Sequence, residues 1–270
     1  MELIGKTALL TGATGGLGRA IAEAVSERGA TLVLSARSRE ALEELAGELR
    51  GEHRIAPADL GEEGAAERLI AEAGRIDCLI ANAGIGAAPG RLERFSPEGI
   101  GNSLRVNLEA PIRMAHGLLP GMLERGEGHL AFISSLNAKA GTPRSSVYTG
   151  TKAGLRSFAL ALRSDLAAKN VGVSVVSPGL IREAGMFAKS GASAPAILGT
   201  GTPEQVGAAV VRAIERNRAE VAVAPLRQRA LSHFALTAPR IAGWALAGGP
   251  LKGKATSVAD RVTEAEAKNR

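Results

Sequence analysis

From Thr7 onward, short apolar runs alternate with amphipathic segments of helical length. Residues 7–11 read as a buried strand and residues 17–28 as a helix closed by Gly29. Residues 31–35 form a second strand, 39–50 a Glu- and Leu-rich helix, 53–56 a short third strand, 62–72 a helix and 77–81 a fourth strand. A long helix over 102–123 has to tolerate Pro111; a strand over 129–134 and a second long helix over 148–169 follow. Residues 171–177 are an apolar, β-branched strand stopped by Pro178. Thr202 is placed to cap a helix over 203–217 with Pro203 at its first position, and 221–224 is a last strand.

Near-continuously apolar strands separated by helices imply parallel pairing with both faces covered. The expected fold is therefore α/β, a Rossmann-like doubly wound parallel sheet of three layers and about seven strands. Residues 1–225 read as one cofactor-binding catalytic domain, and residues 226–270 as a basic, apolar C-terminal extension.

Composition narrows the chemistry. The chain has 270 residues, one cysteine (Cys78), four histidines, one tyrosine (Tyr148) and one tryptophan (Trp244). A single cysteine excludes a disulfide framework, and scattered histidines give no reason to expect a metal. The net charge of +6 is unevenly placed: residues 226–270 hold eight basic and three acidic side chains, leaving the body close to neutral. A neutral body argues against nucleic acid as a partner. The first residues lack the pattern of a secretory signal, and no apolar run is long enough to span a bilayer, so a reducing cytosol is the expected compartment.

Candidate chemistry begins after the first strand. Gly12, Thr14, Gly15, Gly16, Leu17 and Gly18 form a glycine-rich turn that opens the first helix. Glycine there allows a tight turn and lets backbone N–H groups approach a pyrophosphate, although such a turn also serves packing alone. The second strand ends in Ala36, Arg37 and Ser38, with no carboxylate before Glu40. A carboxylate would suit the ribose 2′-hydroxyl of NAD; Arg37 and Ser38 suit a 2′-phosphate. A solvated arginine at a strand end is the alternative.

Tyr148 and Lys152 stand four apart at the start of a long helix, hence on one face. A phenol titrates near about 10, so proton transfer at neutral pH needs a neighbouring positive charge, which Lys152 offers. Ser135 lies upstream at the end of the fifth strand, on the edge where open α/β sheets bind ligands.

Together these residues resemble the short-chain dehydrogenase/reductase family in its single-domain form, over roughly residues 5–225. The motifs occur in the family's order: the turn of residues 11–18, Asp59-Leu60, Asn82-Ala83-Gly84, Asn107, Ser135, Tyr148 with Lys152, and Pro178-Gly179. The resemblance implies hydride transfer between a nicotinamide and a carbonyl or alcohol carbon. Tyr148 would act as general acid/base, Ser135 would hydrogen-bond the substrate oxygen, and Lys152 would lower the phenol pKa and hold the nicotinamide ribose. Asn107 would hold a water linking Lys152 to solvent. Asp59 would contact the adenine and Asn82 would sit beside the adenosine ribose and brace the central sheet, with Leu60, Ala83 and Gly84 also binding the cofactor. Pro178, Gly179 and the Ile181 backbone would meet the nicotinamide. Glu183 replaces the family's frequent Thr, and Gly15 stands where NADP-preferring relatives often carry a basic or hydroxyl side chain.

The implied cofactor is NADP(H), with NAD(H) left open. The loop after Gly179 carries Met186, Phe187, Ile197 and Leu198, which points to a small hydrophobic carbonyl or alcohol substrate. The resemblance also implies a homo-oligomer, dimer or tetramer, paired through the two long helices. In residues 226–254, Phe234, Leu236, Ile241, Trp244 and Leu246 lie among Arg227, Arg229, Lys252 and Lys254. That pattern suits either packing within the assembly or contact with an anionic membrane surface. Two other functions stay in view: a non-catalytic NADP(H)-binding sensor or scaffold, and a peripheral membrane reductase of a lipid-like carbonyl.

Overall fold

The computed structural model describes residues 1–86, 90–183 and 198–247. Met186, Phe187 and Ile197 of the expected substrate loop, and Lys252 and Lys254 of the tail, lie outside the described residues.

Among the described residues, seven strands form one parallel sheet: β1 (Thr7–Thr11), β2 (Thr31–Ser35), β3 (Arg54–Ile55), β4 (Cys78–Ala81), β5 (Gly128–Ile133), β6 (Val171–Pro178) and β7 (Glu220–Val223). Their order is β3-β2-β1-β4-β5-β6-β7. The chain winds outward from β1 in one direction and resumes at β4 in the other. That reversal opens a crevice at the carboxyl ends of β1 and β4, the usual ligand position in such sheets.

The helices are α1 (Gly16–Ser26), α2 (Arg39–Glu48), α3 (Ala65–Ala73), α4 (Pro97–Leu104), α5 (Ala110–Arg125), α6 (Ser146–Asp165), α7 (Pro203–Glu215), α8 (Leu226–Thr237) and α9 (Pro239–Ala247). Strand alternation divides them between two cores. Ala8, Leu10, Leu32 and Leu34 pack with Ile21 and Val25 of α1 and Val206 and Val210 of α7. Leu9, Leu79 and Phe132 face the other way, toward Leu69 of α3, Met114 of α5 and Leu155 of α6. Burial on both faces explains the unbroken apolar runs; each large side chain so buried contributes roughly 1.5–3 kcal/mol. α1 and α7 pack so closely that a Cβ on Gly207 would overlap the Ala20 carbonyl oxygen.

One expected element is divided. In place of a single helix over 102–123, α4 begins at Pro97, where the Ser96 hydroxyl accepts from the Gly99 N–H at 3.0 Å. It passes through a π turn (Arg105–Glu109) into α5. The turn widens where the Ala110 N–H bonds the Arg105 carbonyl, just before Pro111, which has no N–H for the Asn107 carbonyl four residues back. The third strand is shorter than expected because the His53 ring, rather than backbone, accepts from the Leu32 N–H at 3.1 Å. The C-terminal extension folds into α8 and α9, interrupted at Pro239.

Candidate active site

Four strand ends converge on the crevice. After β1, Gly12 sits at φ +65°, and a Cβ there would stand 2.8 Å from the Ala83 Cα, so that position requires glycine. A Cβ on Gly18 would overlap the Gly12 carbonyl oxygen. Gly15 differs: a Cβ there would meet only the Gly12 carbonyl oxygen, at 3.5 Å. As the N-cap of α1 it offers no side chain to the first-turn N–H groups. An open concavity faced by N–H donors fits the pyrophosphate of a dinucleotide. Thr14, Gly16 and Leu17 complete that turn and are half-buried.

β4 is fastened to this turn by Asn82. Its Nδ2 donates to the carbonyls of Thr11 at 3.0 Å and Gly12 at 3.1 Å. The Thr11 hydroxyl accepts from the Asn82 and Ala83 N–H groups at 3.2 and 3.1 Å. Two positions expected to touch the cofactor lie farther out on the rim. Asp59 is exposed and accepts from the Gly61 N–H at 2.8 Å beside buried Leu60, and Arg37 is exposed at the end of β2. The Ser38 hydroxyl is already engaged: it caps α2 by accepting from the Ala41 N–H at 3.1 Å and donates to Glu40 Oε2 at 2.9 Å.

The reactive side chains gather at β5 and α6. Ser135 stands two residues past the end of β5, and its hydroxyl accepts from the Asn137 N–H at 3.1 Å, capping a short 3-10 turn (Leu136–Ala138). Tyr148 and Lys152 are both buried on α6. Lys152 Nζ donates to the Ile133 carbonyl at 2.9 Å, and burial pushes its ammonium down to about 8. Gly84 closes the same space, since a Cβ there would stand 3.2 Å from both Lys152 Nζ and Asn107 Oδ1.

Asn107 is fully buried in the π turn, and both ends of its side-chain amide are engaged. Oδ1 accepts from the Ile85 N–H at 2.8 Å, while Nδ2 donates to the Ile85 carbonyl at 2.9 Å and to the Thr151 hydroxyl at 3.2 Å. The Asn107 backbone carbonyl is the one that Pro111, lacking an N–H, leaves without the usual helical donor four residues on. Glu183 sits at φ +68°, exposed, 2.9 Å from Arg182 Nε, so it turns to its neighbour.

Sequence reasoning missed several supports. Ser134 donates to the Lys152 carbonyl at 2.9 Å and joins β5 to α6; Thr151 bridges the Tyr148 carbonyl and Asn107. Below Ser135, buried Lys139 reaches Glu220 at 2.9 Å, and Arg156 grips the same carboxylate at 2.9 and 2.8 Å. Lys139 follows Ser135 by four residues and Arg156 follows Lys152 by four, but Glu220, which joins them, is remote in sequence. Among the described residues, no group of His, Cys, Asp or Glu could hold a metal ion. Cys78 is buried, its thiol pushed up to about 12 by desolvation. No described helix is long and apolar enough to cross a membrane.

Comparison with known proteins agrees with this arrangement. Residues 6–194 match the family model for short chain dehydrogenase. The ketoacyl reductase HetN of Nostoc sp. is 38% identical over 228 residues, covering 82% of this chain and 79% of that protein. A solved short chain dehydrogenase/reductase family protein superposes with a TM-score of 0.75 at 31% identity, covering 83% of this chain and 97% of that one. A metagenomic short-chain oxidoreductase solved in complex with NADP gives 0.69 at 30% identity, with 83% and 99% covered. With the family model, the relatives and the superposed fold in agreement, the chain belongs to the short-chain dehydrogenase/reductase family of oxidoreductases.

Proposed function

We propose that the protein is an NADP(H)-dependent reductase or dehydrogenase of a small hydrophobic ketone, aldehyde or secondary alcohol. The observation that carries this reading is the buried Tyr148–Lys152 pair at the mouth of the crevice, with Ser135 on the adjoining strand end. A nicotinamide bound there supplies or accepts the hydride. In the reductive direction Tyr148 gives its phenolic proton to the carbonyl oxygen, and Ser135 hydrogen-bonds the same oxygen. Lys152 stabilises the resulting phenolate, and its ammonium, lowered to about 8, is a suitable donor for restoring the proton. A water on the Asn107 backbone carbonyl would return a proton to Lys152.

The residues available to hold the dinucleotide are the N–H groups of 14–18 for the pyrophosphate, Asp59 and Leu60 for the adenine, Gly84 for the ribose, and Pro178, Gly179 and Ile181 for the nicotinamide. The preference for NADP(H) rests on Arg37, because the Ser38 hydroxyl is committed to its cap. Tyr148→Phe tests the mechanism: NADPH binding is retained and turnover of carbonyl substrates falls by about 10²–10⁴-fold. Undiminished turnover would refute the assignment.

A second reading concerns the extension. α8 is turned so that polar Gln228 and Ser232 are buried, while Leu231 (47%), Phe234 (46%) and, on α9, Trp244 (62%) are exposed. No acidic residue occurs from Val221 to Ala259, whereas Arg227, Arg229 and Arg240 lie within the two helices. An exposed apolar face set among basic residues favours docking onto an anionic lipid surface. For self-association, the groove of about 400 Å³ lined by Leu104, Leu108, Glu109, Ile112 and Arg113, along α4, the π turn and α5, supports pairing through the long helices.

A further inference from the structure

A side chain outside every motif holds the backbone beside the proposed nicotinamide site. Gln228, buried on the inward face of α8, accepts at Oε1 from the Leu180 N–H at 3.1 Å. Its Nε2 donates to the carbonyls of Gly199 at 2.7 Å and Leu198 at 3.3 Å. One amide thus fastens the residues that leave β6 to those that lead back toward α7. Gly179 is shaped around it: a Cβ there would overlap Gln228 Oε1 and stand 2.9 Å from the Ala224 Cβ.

The hydrogen bonds leave Leu180 little freedom. Its N–H goes to Gln228, and its carbonyl accepts from the Gly201 N–H at 2.8 Å. Ile181 pairs with Gly201 in a parallel bridge that uses the Leu180 carbonyl and the Arg182 N–H, the latter donating to Gly201 at 3.0 Å. In parallel pairing, the N–H and carbonyl of the middle residue face away from the partner strand. The polar atoms of Ile181 therefore turn away from Gly201, at the carboxyl end of the sheet where an amide ligand can meet them.

We propose that Gln228 is a positioning residue for the cofactor: by fixing Leu180 it aims the Ile181 backbone at the nicotinamide carboxamide, making α8 part of the active site. This rests on the reading of the crevice as an NADP(H) site. Glutamine suits the task because it accepts at one atom and donates at the other. Glutamate keeps the acceptor for Leu180 but sets a carboxylate against two carbonyls, and methionine keeps the bulk with no comparable hydrogen bond.

The test uses the full chain as wild type, Gln228→Met and Gln228→Glu. Three quantities are measured: amide exchange at Leu180 without cofactor, affinity for NADPH, and affinity for 2′-phospho-ADP-ribose, which lacks only the nicotinamide. Loss of one or two such bonds predicts that Gln228→Met weakens NADPH about five- to tenfold, leaves 2′-phospho-ADP-ribose unchanged and exposes the Leu180 amide. Gln228→Glu keeps Leu180 protected and weakens NADPH less. An unchanged NADPH affinity in Gln228→Met, or an equal loss for both nucleotides, overturns the inference. If wild-type protein binds neither nucleotide, the NADP(H) reading fails and this inference with it. The wild-type titration separates that failure from one specific to Gln228.

Discussion

Asn107 and Ile85 exchange two hydrogen bonds, the Asn107 amide accepting from the Ile85 N–H at 2.8 Å and donating to the Ile85 carbonyl at 2.9 Å. A side chain thus pairs with a backbone as a neighbouring strand would, and fixes the segment that follows Gly84 over Lys152. Asn107→Leu removes both bonds and leaves polar backbone unsatisfied. It is expected to cost about 2–4 kcal/mol of stability in denaturant titration. A loss of turnover with unchanged stability would assign the side chain a direct chemical role instead.

Lys152 combines a cost in stability with a use in chemistry. Burial lowers its pKa to about 8 from 10.5, so the unfolded chain binds the extra proton between those values. The penalty is present in full below pH 8 and relieved as pH rises toward 10.5. Lys152→Met is therefore expected to raise the stability of the cofactor-free protein by about 2–3 kcal/mol at pH 7, while lowering kcat at least about 100-fold. Melting curves at pH 7 and pH 10 should show the gain shrinking at the higher value. A destabilised variant at pH 7 would mean that the bond from Nζ to the Ile133 carbonyl outweighs the desolvation of the charge.

The sheet was legible because two-sided burial writes each strand as an apolar run, and the motif residues lie at strand ends. What escaped was tertiary. The helix expected over 102–123 divides at the π turn just before Pro111, and a proline alone does not say where the ladder will widen. Ser38 read as a phosphate ligand because it follows β2, yet Ser-x-x-Ala at a helix start is equally a cap. Gln228 and Glu220 carry no local pattern, since their partners are remote in sequence and backbone groups have no letter. α8 defeats amphipathic reasoning, burying Gln228 and Ser232 while Leu226, Leu231, Phe234 and Leu236 stay exposed.

The ion cluster below Ser135 predicts acid sensitivity. Burial alone would raise the Glu220 carboxyl, but hydrogen bonds from Arg156 and Lys139, with their charges, bring it down from 4.5 to about 2. A carboxyl depressed by folding lends stability above its unfolded value and loses it as pH falls from 4.5 to 2. His129, pushed down from 6.5 to about 3 by burial, adds a loss over pH 6.5 to 3. Each group contributes roughly 1.4 kcal/mol per pH unit within its window. Glu220→Gln leaves the Lys139 ammonium, with a side chain only 2% exposed, without its counter-charge. That change is expected to cost about 3–5 kcal/mol at neutral pH, read by thermal unfolding. A wild-type melting temperature that is flat from pH 6 to 3 would contradict the scheme.

Arg37 decides between the two dinucleotides. It is exposed and makes no ion pair among the described residues, whereas the nearby Glu40 carboxylate is bonded to Ser38 and opposes a second negative group. Arg37→Ala is expected to weaken NADPH about tenfold while leaving NADH within about twofold, as a partly solvated guanidinium–phosphate contact should. Equal affinity for NADPH and NADH in the parent protein would remove Arg37 from the specificity argument.

Docking by the extension makes a separate prediction, because the exposed face of α8 and α9 is distinct from the buried face that carries Gln228. Leu231, Phe234, Ile241 and Trp244 supply the apolar area, and Arg229 and Arg240 add positive charge. Vesicles with about 30% phosphatidylserine should retain the protein at low salt and release it as ionic strength rises, since each basic residue near the surface is worth about 1 kcal/mol. Phe234→Asp with Trp244→Asp should abolish retention while leaving NADPH binding intact. Retention by neutral phosphatidylcholine vesicles at the same level would mean that the apolar face alone drives the contact. If no vesicle retains the protein, the lipid reading fails and a second protein surface becomes the occupant to seek.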